Sequence, residues 1–221
     1  MSSGIGRRRA AARTDGGAAY QERRAEVIKA AAAVFKKNGY RGTTMADVAV
    51  ALKLDRASLY YYIGGKEELF HEVVGGAVAG NAVAAEQIVA SAGPAPEKLR
   101  RLITELMVSY SENYPFLYLY IQENLSHGQG KRTSWDRQMR QLNKRYENAV
   151  VELVEAGIKE GTFSTDTQPW VIAYGIIGMV AWSNRWFHPG RSAVSAEEIG
   201  AAYAETLLRG LQAPAETVRH R

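Results

Sequence analysis

The chain of 221 residues contains no cysteine. Disulfides and thiolate metal centres are therefore excluded, and a reducing compartment suits such a chain. Proline is scarce, with six residues in all, so little interrupts long helices. The four histidines, His71, His127, His188 and His220, form no pair at metal-ligand spacing. Without thiolates a zinc site would need carboxylates. No phosphate-cradling glycine loop and no nucleophile elbow occurs. The expectation is a non-enzyme with no cofactor, no metal and no catalytic residues. No apolar run reaches the length that a bilayer span needs, and the first residues lack the charged-then-apolar order of a secretory signal, so no membrane role is expected. Strict apolar-polar alternation, the mark of a half-buried strand, is missing as well.

What the chain does have is enough apolar sequence for a core and an uneven charge. Hydrophobic residues make up 46% and charged residues 23%, a globular balance. Residues 1–66 carry 13 Lys and Arg against 5 Asp and Glu, whereas residues 67–221 carry 15 against 18. A basic front and a mildly acidic back suit a polyanion-binding module joined to a part that does not bind polyanions.

Helical periodicity runs through the sequence. Residues 1–19 are rich in Ser, Gly, Ala and Arg and read as a flexible basic arm; 214–221 read as a disordered tail. A helix is expected over 20–38, with Val27, Ala31, Val34 and Phe35 on its apolar side and Asn38-Gly39 as its stop. Thr44 is a good N-cap with Asp47 three residues on, as in a capping box. The short helix it opens ends near Leu52. Asp55 can cap a second short helix running from Arg56 to about Ile63. Two short helices across a tight connection form helix-turn-helix geometry. Lys66-Glu67-Glu68-Leu69-Phe70 then opens a long helix to about 91, and Gly93-Pro94-Ala95-Pro96 ends it. Further helices are expected at 97–113, 115–127, 133–160, 168–187 and 196–211. The architecture is all-α, about nine helices, with a three-helix DNA-binding domain over 20–66 and a larger ligand-binding and dimerisation domain over 67–213.

Two sets of residues invite a functional reading. A recognition helix reads base edges with its first residues, here Arg56, Ala57 and Ser58, with Tyr61 one turn on. Arg56 can give two hydrogen bonds to guanine, or one to a phosphate, and Ala57 can lie against a thymine methyl. Leu59 should face Val48 and Leu52 in the core. Tyr60, Tyr61 and Tyr62 span about 200° of helix surface, so they cannot all be buried, and exposed tyrosine beside basic residues favours DNA. Thr44 and Lys66 stand at helix N-termini, where backbone N–H groups attract phosphate. In the second half, aromatics are dense. Tyr110, Tyr118, Gln122, Trp135, Tyr146, Tyr174, Trp182 and Arg185 are candidate pocket residues, although aromatics at helical spacing also serve simply as core. Asn124, Asn143 and Asn184 are possible further anchors. The apolar helix 168–187 and the helix 196–211 are candidate dimer elements, with Gly175 and Gly178 allowing a second backbone to come close; the alternative is that 168–187 is an internal core helix.

The run Thr43-Thr44-Met45-Ala46-Asp47-Val48-Ala49, then Leu54-Asp55-Arg56-Ala57-Ser58-Leu59-Tyr60-Tyr61-Tyr62-Ile63, then Lys66-Glu67-Glu68-Leu69 resembles the DNA-binding signature of TetR-family transcriptional repressors. Lys53 stands where that family usually has a glycine, Ile63 where it has an aromatic, and Gly65 where it has serine or asparagine. Tyr120-Ile121-Gln122-Glu123, Glu155 to Phe163, and Arg185-Trp186-Phe187-His188-Pro189-Gly190 resemble a narrower group that governs steroid and fatty-acid breakdown and senses acyl-CoA thioesters. Ile177 stands where that group has an arginine. The resemblance implies a cytoplasmic, nucleoid-associated bacterial repressor. It would bind a palindromic DNA operator as a homodimer through 168–187 and 196–211, and a small hydrophobic or acyl-CoA-like effector would release it. An architectural DNA-binding protein without a small ligand is the alternative.

Overall fold

The computed structural model describes residues 17–126 and 133–211, and of residues 122–126 the backbone alone. The described residues form nine α-helices and no strand. They are α1 Ala18–Gly42, α2 Met45–Ala51, α3 Arg56–Tyr62, α4 Lys66–Ala90, α5 Ala95–Glu112, α6 Phe116–Ser126, α7 Ser134–Lys159, α8 Pro169–Trp182 and α9 Ala196–Leu211. The all-α expectation holds. Residues 1–16 of the expected arm and the whole of the expected tail lie outside the described residues.

Contacts divide the chain into two compact units, Met1–Gly76 and Ala77–Arg221, and α4 belongs partly to each. In the first unit, α1 buries Val27, Ala31 and Phe35 at helical spacing, and Leu59, Ile63, Leu69 and Val74 are fully buried with them. Fully burying such aliphatic side chains contributes about 1.5–3 kcal/mol each. Phe70 meets Tyr40 at 4.7 Å and Phe35 at 6.5 Å between ring centroids. The Asn38-Gly39 stop is real but not final. Gly39 leaves the helix with φ +72° and ψ 160°, and one more turn follows to Gly42. Thr43 fastens that turn by donating its hydroxyl to the Gly39 carbonyl at 2.8 Å.

In the second unit, α9 lies against α5 so closely that a Cβ on Gly200 would stand 2.7 Å from the Thr104 Cα. Arg100 and Glu205 pair across these two helices at 3.0 Å. Arg145 of α7 holds Glu86 of α4 through two hydrogen bonds. The Ser164 amide donates to the Leu211 carbonyl at 2.7 Å and ties the loop after α7 to the end of α9.

Two expectations change. Helix 168–187 is shorter, since α8 ends at Trp182 and a 3-10 turn follows over Ser183–Arg185. The Ser183 carbonyl takes the amides of both Trp186 and Phe187, which tightens the chain, and its hydroxyl meets that of Tyr203 at 3.0 Å. Helix α4 is also long and apolar enough, by length and composition, to cross a membrane, with a mean hydropathy of 1.4 over its most apolar stretch. Alanine and valine raise that average without forming an unbroken run of large side chains. Its large apolar residues Leu69, Phe70, Val74 and Ile88 are buried in the protein, as in a core helix.

Candidate functional site

In the first unit, α2 and α3 are both capped from outside. The Thr44 hydroxyl accepts from the Asp47 amide while the Asp47 carboxylate accepts from the Thr44 amide at 2.7 Å, a complete capping box. Asp55 takes the Ser58 amide at 2.8 Å and the Ser58 hydroxyl at 2.6 Å. These hydrogen bonds hold both carboxyls below their usual range: Asp47 by the Thr44 hydroxyl first and then its backbone, Asp55 by the Ser58 hydroxyl first and then its backbone. Helices of seven residues are too short to persist alone, so caps and the buried Val48 and Leu59 hold them. The connection turns on Lys53, whose φ of +55° is the only positive value at a non-glycine residue among the described residues.

This frame leaves the first turn of α3 open. Arg56 and Ala57 are exposed, Ser58 is half-buried beside its cap, and Leu59 is fully buried. Tyr60, Tyr61 and Tyr62 are each half-buried. Tyr61 stands edge-on to Tyr20 at 5.5 Å and Tyr62 stacks on Tyr20 at 5.3 Å. The tyrosine run is thus half a packing surface against α1, a role not legible from the run itself. Lys66 is occupied too. Its ammonium donates to the Thr43 carbonyl at 2.9 Å and the Arg41 carbonyl at 3.3 Å, and lies 4.5 Å from the Tyr40 ring centre. The Glu68 carboxylate accepts from the Gly64 amide at 2.7 Å and so ties the loop before α4 to its first turn.

The second unit contains an apolar cavity of about 150 Å³ between α4, α5, α6, α7 and α8. Val78, Leu106, Leu117, Ile177 and Val180 supply much of its apolar wall. Asn81, Asn143, Tyr110 and Tyr146 supply its polar groups. Asn143 donates to the Tyr120 hydroxyl at 2.8 Å, and Asn81 accepts from the Ser109 hydroxyl at 2.5 Å. The hydroxyls of Tyr110 and Tyr146 are buried and have no hydrogen-bond partner. Burial pushes both above the usual tyrosine range, and Tyr114 and Tyr118 add to the rise at Tyr110. A second cavity of about 280 Å³ shares Asn81, Leu106 and Tyr146 with the first.

Of the candidate pocket residues, the structure brings Tyr110 and Tyr146 to this cavity and places others elsewhere. Tyr118 lies beside Tyr114 and His188, and Trp135 stands edge-on to Tyr120 at 5.9 Å. Tyr174, Trp182 and Arg185 are exposed. Tyr174 donates its hydroxyl to Glu147 at 2.8 Å, and Arg185 lies over the Trp182 ring. The Gln122 side chain lies outside the described residues. Sequence reasoning missed the contribution of α4, Val78 and Asn81, because the small residues around them suggested no pocket wall. Trp170, Tyr174, Gly178 and Trp182 recur every four residues on the open side of α8, and the two tryptophans are 55% and 61% exposed.

A capped helix-turn-helix with an open recognition turn, in a chain that also carries a cavity-bearing helical unit, defines a DNA-binding transcriptional regulator. Residues 27–73 match the model of bacterial regulatory proteins of the tetR family, and residues 92–211 match the tetracyclin repressor-like C-terminal domain. The chain belongs to the tetR family, a family of regulators and not of enzymes. It is 28% identical over 193 residues to the HTH-type transcriptional repressor KstR2 of Rhodococcus jostii, covering 87% of this chain and 92% of that one. The crystal structure of the TetR-family regulator PfmR from Thermus thermophilus is 30% identical with a TM-score of 0.69, covering 85% of this chain and 99% of that one. AibR, solved in complex with isovaleryl coenzyme A and operator DNA, shares the fold at 21% identity and a TM-score of 0.64, over 87% of this chain and 100% of that one. As a DNA-binding regulator of a bacterial family the protein acts in the cytoplasm.

Proposed function

We propose that the protein is a nucleoid-associated repressor that grips a palindromic operator as a homodimer and lets go when a small hydrophobic or acyl-CoA-like effector binds. Residues 20–66 read the DNA and residues 67–213 hold the effector and the partner copy. Arg56, Ala57 and Ser58 meet base edges in the major groove, Tyr60 and Tyr61 and the capped N-terminus at Thr44 meet the backbone, and Tyr62 acts mainly as a support for α3 against Tyr20. Lys66 acts as a brace for the loop before α2. The observation that carries the reading is the open first turn of α3, held rigid by caps on both short helices.

One such module is too small to be specific alone, so two are needed, about 34–36 Å apart on the operator. The exposed apolar stripe on α8, beside α9, supports a second copy as its cover. Effector binding beside Val78 and Asn81 shifts α4, whose first turns belong to the DNA-binding unit. The effector must prefer the released state, or it moves no population. The names of the relatives support this reading: KstR2 is a repressor, and AibR was solved with an acyl-CoA and operator DNA. The test is selection from a genomic fragment pool at physiological salt, followed by sequencing. A palindrome with half-sites about one turn apart is expected. Retention of all fragments alike, lost steeply with salt, would instead mean an architectural protein.

A further inference from the structure

We propose that an exposed row of cations on α7, Arg137, Arg140 and Lys144, binds the phosphate-bearing end of the effector, a multiply charged phosphate ester whose apolar end lies in the cavity beside Val78 and Ile177. The inference rests on the effector reading above and adds the part of that site which takes the charge. Three observations carry it.

The first is unanswered charge. In the second unit Arg100, Arg101, Arg145 and Arg209 each hold a carboxylate. Arg137 and Arg140 hold none among the described residues, and both are exposed. Lys144 reaches Glu147 only at 3.6 Å, and that carboxylate already accepts from the Tyr174 hydroxyl at 2.8 Å. Asp136, the acid beside Arg137, is spent on the Thr133 cap. Steps of three and four residues put the three cations within about 60° of one helix face and about 10 Å of its axis. Like charges at that spacing work against the helix, and an anion laid along them removes the repulsion.

The second is room. The row stands in an open cleft of about 580 Å³, lined among the described residues by Arg137, Arg140, Gln141, Asn143, Lys144 and Glu147. Three cations face one carboxylate there. Guanidinium forks match the oxygens of a phosphate in pairs, whereas a lysine acts as a point charge beside them. The cleft is open to water, so a phosphate enters it without the cost of full burial.

The third is position. Asn143 lines both this cleft and the apolar cavity of about 150 Å³. One ligand with an apolar end and a charged end thus finds a place for each on either side of a single residue. Arg185 offers no such arrangement. It lies over the Trp182 ring and lines neither space.

Isothermal titration of the full-length protein with pyrophosphate, coenzyme A and hexanoyl-CoA tests the row. Coenzyme A should bind, more weakly as salt is raised. Arg137→Gln with Arg140→Gln should weaken it about tenfold, since each exposed charged contact gives up to about fivefold. Arg137→Lys with Arg140→Lys should recover part of that loss. The double glutamine variant should melt as the wild type by circular dichroism, because neither arginine holds a partner. Arg185→Gln should change coenzyme A affinity by less than about twofold, the range of an exposed charge away from the site. Absence of coenzyme A binding overturns the proposal, as does a double variant that binds like the wild type, or an equal loss in Arg185→Gln. Pyrophosphate binding as tightly as coenzyme A makes the row a free-anion site and overturns its assignment to the effector. A double variant with unchanged coenzyme A affinity but a flatter salt dependence of operator binding places the row on DNA instead, which also overturns it. Release of a selected operator by hexanoyl-CoA is read in parallel by fluorescence anisotropy. Arginine-dependent binding with no release retires the effector reading and leaves the phosphate site standing. Release by the double variant at the wild-type concentration retires this proposal and leaves the effector reading standing.

Discussion

Lys66→Met separates bracing from DNA contact. The ammonium of Lys66 gives a charged hydrogen bond to the Thr43 carbonyl at 2.9 Å, a longer one to the Arg41 carbonyl at 3.3 Å, and lies over the Tyr40 ring. Thr43 is almost wholly buried, so water cannot easily replace the first bond, whereas Arg41 is exposed and loses little. A charged hydrogen bond of this kind contributes about 1.5–3 kcal/mol, and the cation over the ring about 0.5 kcal/mol. Methionine keeps an apolar stem of similar length, so the loss belongs to the ammonium. The expected destabilisation is about 2–3 kcal/mol, or a drop of roughly 10 °C in the melting of a unit this small. All four tryptophans lie beyond Gly76, at Trp135, Trp170, Trp182 and Trp186. Circular dichroism should therefore show an early loss of helix while tryptophan fluorescence melts as in the wild type. Operator binding, measured below that first transition, should keep the wild-type slope of affinity against salt. A phosphate contact would instead lower the slope by about one counterion per subunit. Unchanged melting together with a reduced slope would refute the bracing argument.

Other expectations follow from single contacts. Gly200→Ala should destabilise the second unit by about 1–3 kcal/mol in denaturant melts, because its Cβ would meet the Thr104 Cα at 2.7 Å and backbone yields poorly. Lys53→Gly should leave thermal stability within about 1 kcal/mol of wild type, relief at φ +55° being offset by a looser unfolded chain. Lys53→Val should lose about 1–2 kcal/mol in the same assay, since a β-branched residue resists that conformation. The Asp47 and Asp55 carboxyls are lowered in the folded state, so their stabilising effect is complete above the ordinary carboxylate pKa of about 4 and is lost as pH falls through the lowered values. Asp47→Asn with Asp55→Asn keeps good caps but removes the titration, and acid denaturation should begin less steeply. An unchanged acid limb would count against this account.

Much of the fold was legible because the signals are local. Thr44 with Asp47 and Asp55 with Ser58 declare their helices within four residues, and the structure places both caps there. The helix expected over 133–160 ends at Lys159, and Gly161 turns the chain just beyond it with φ +73°. Helix periodicity, capping and stop residues act over single turns, so a one-dimensional reading recovers them. The recognition turn at Arg56 and Ala57 was legible for the same reason, since its exposure follows from the cap before it and the buried Leu59 after it.

The roles of side chains that reach between elements were not. Read along the chain, Tyr61 stood one turn on among the base-reading positions and Tyr62 belonged to a run that favours DNA, yet the packing against Tyr20, some forty residues away, decides how much of each ring is free. Lys66 is separated by more than twenty residues from the carbonyls it holds. Of the eight candidate pocket residues, Tyr110 and Tyr146 reached the cavity, while Tyr174, Trp182 and Arg185 lie on the open side of α8 and the turn after it. The order of residues by itself determined that this chain would be helical, basic in front and dense in aromatics behind. Only the packing of α4, α5, α6, α7 and α8 decided which aromatics enclose a space, because a cavity is defined by what several helices fail to fill together, and no single helix carries that information.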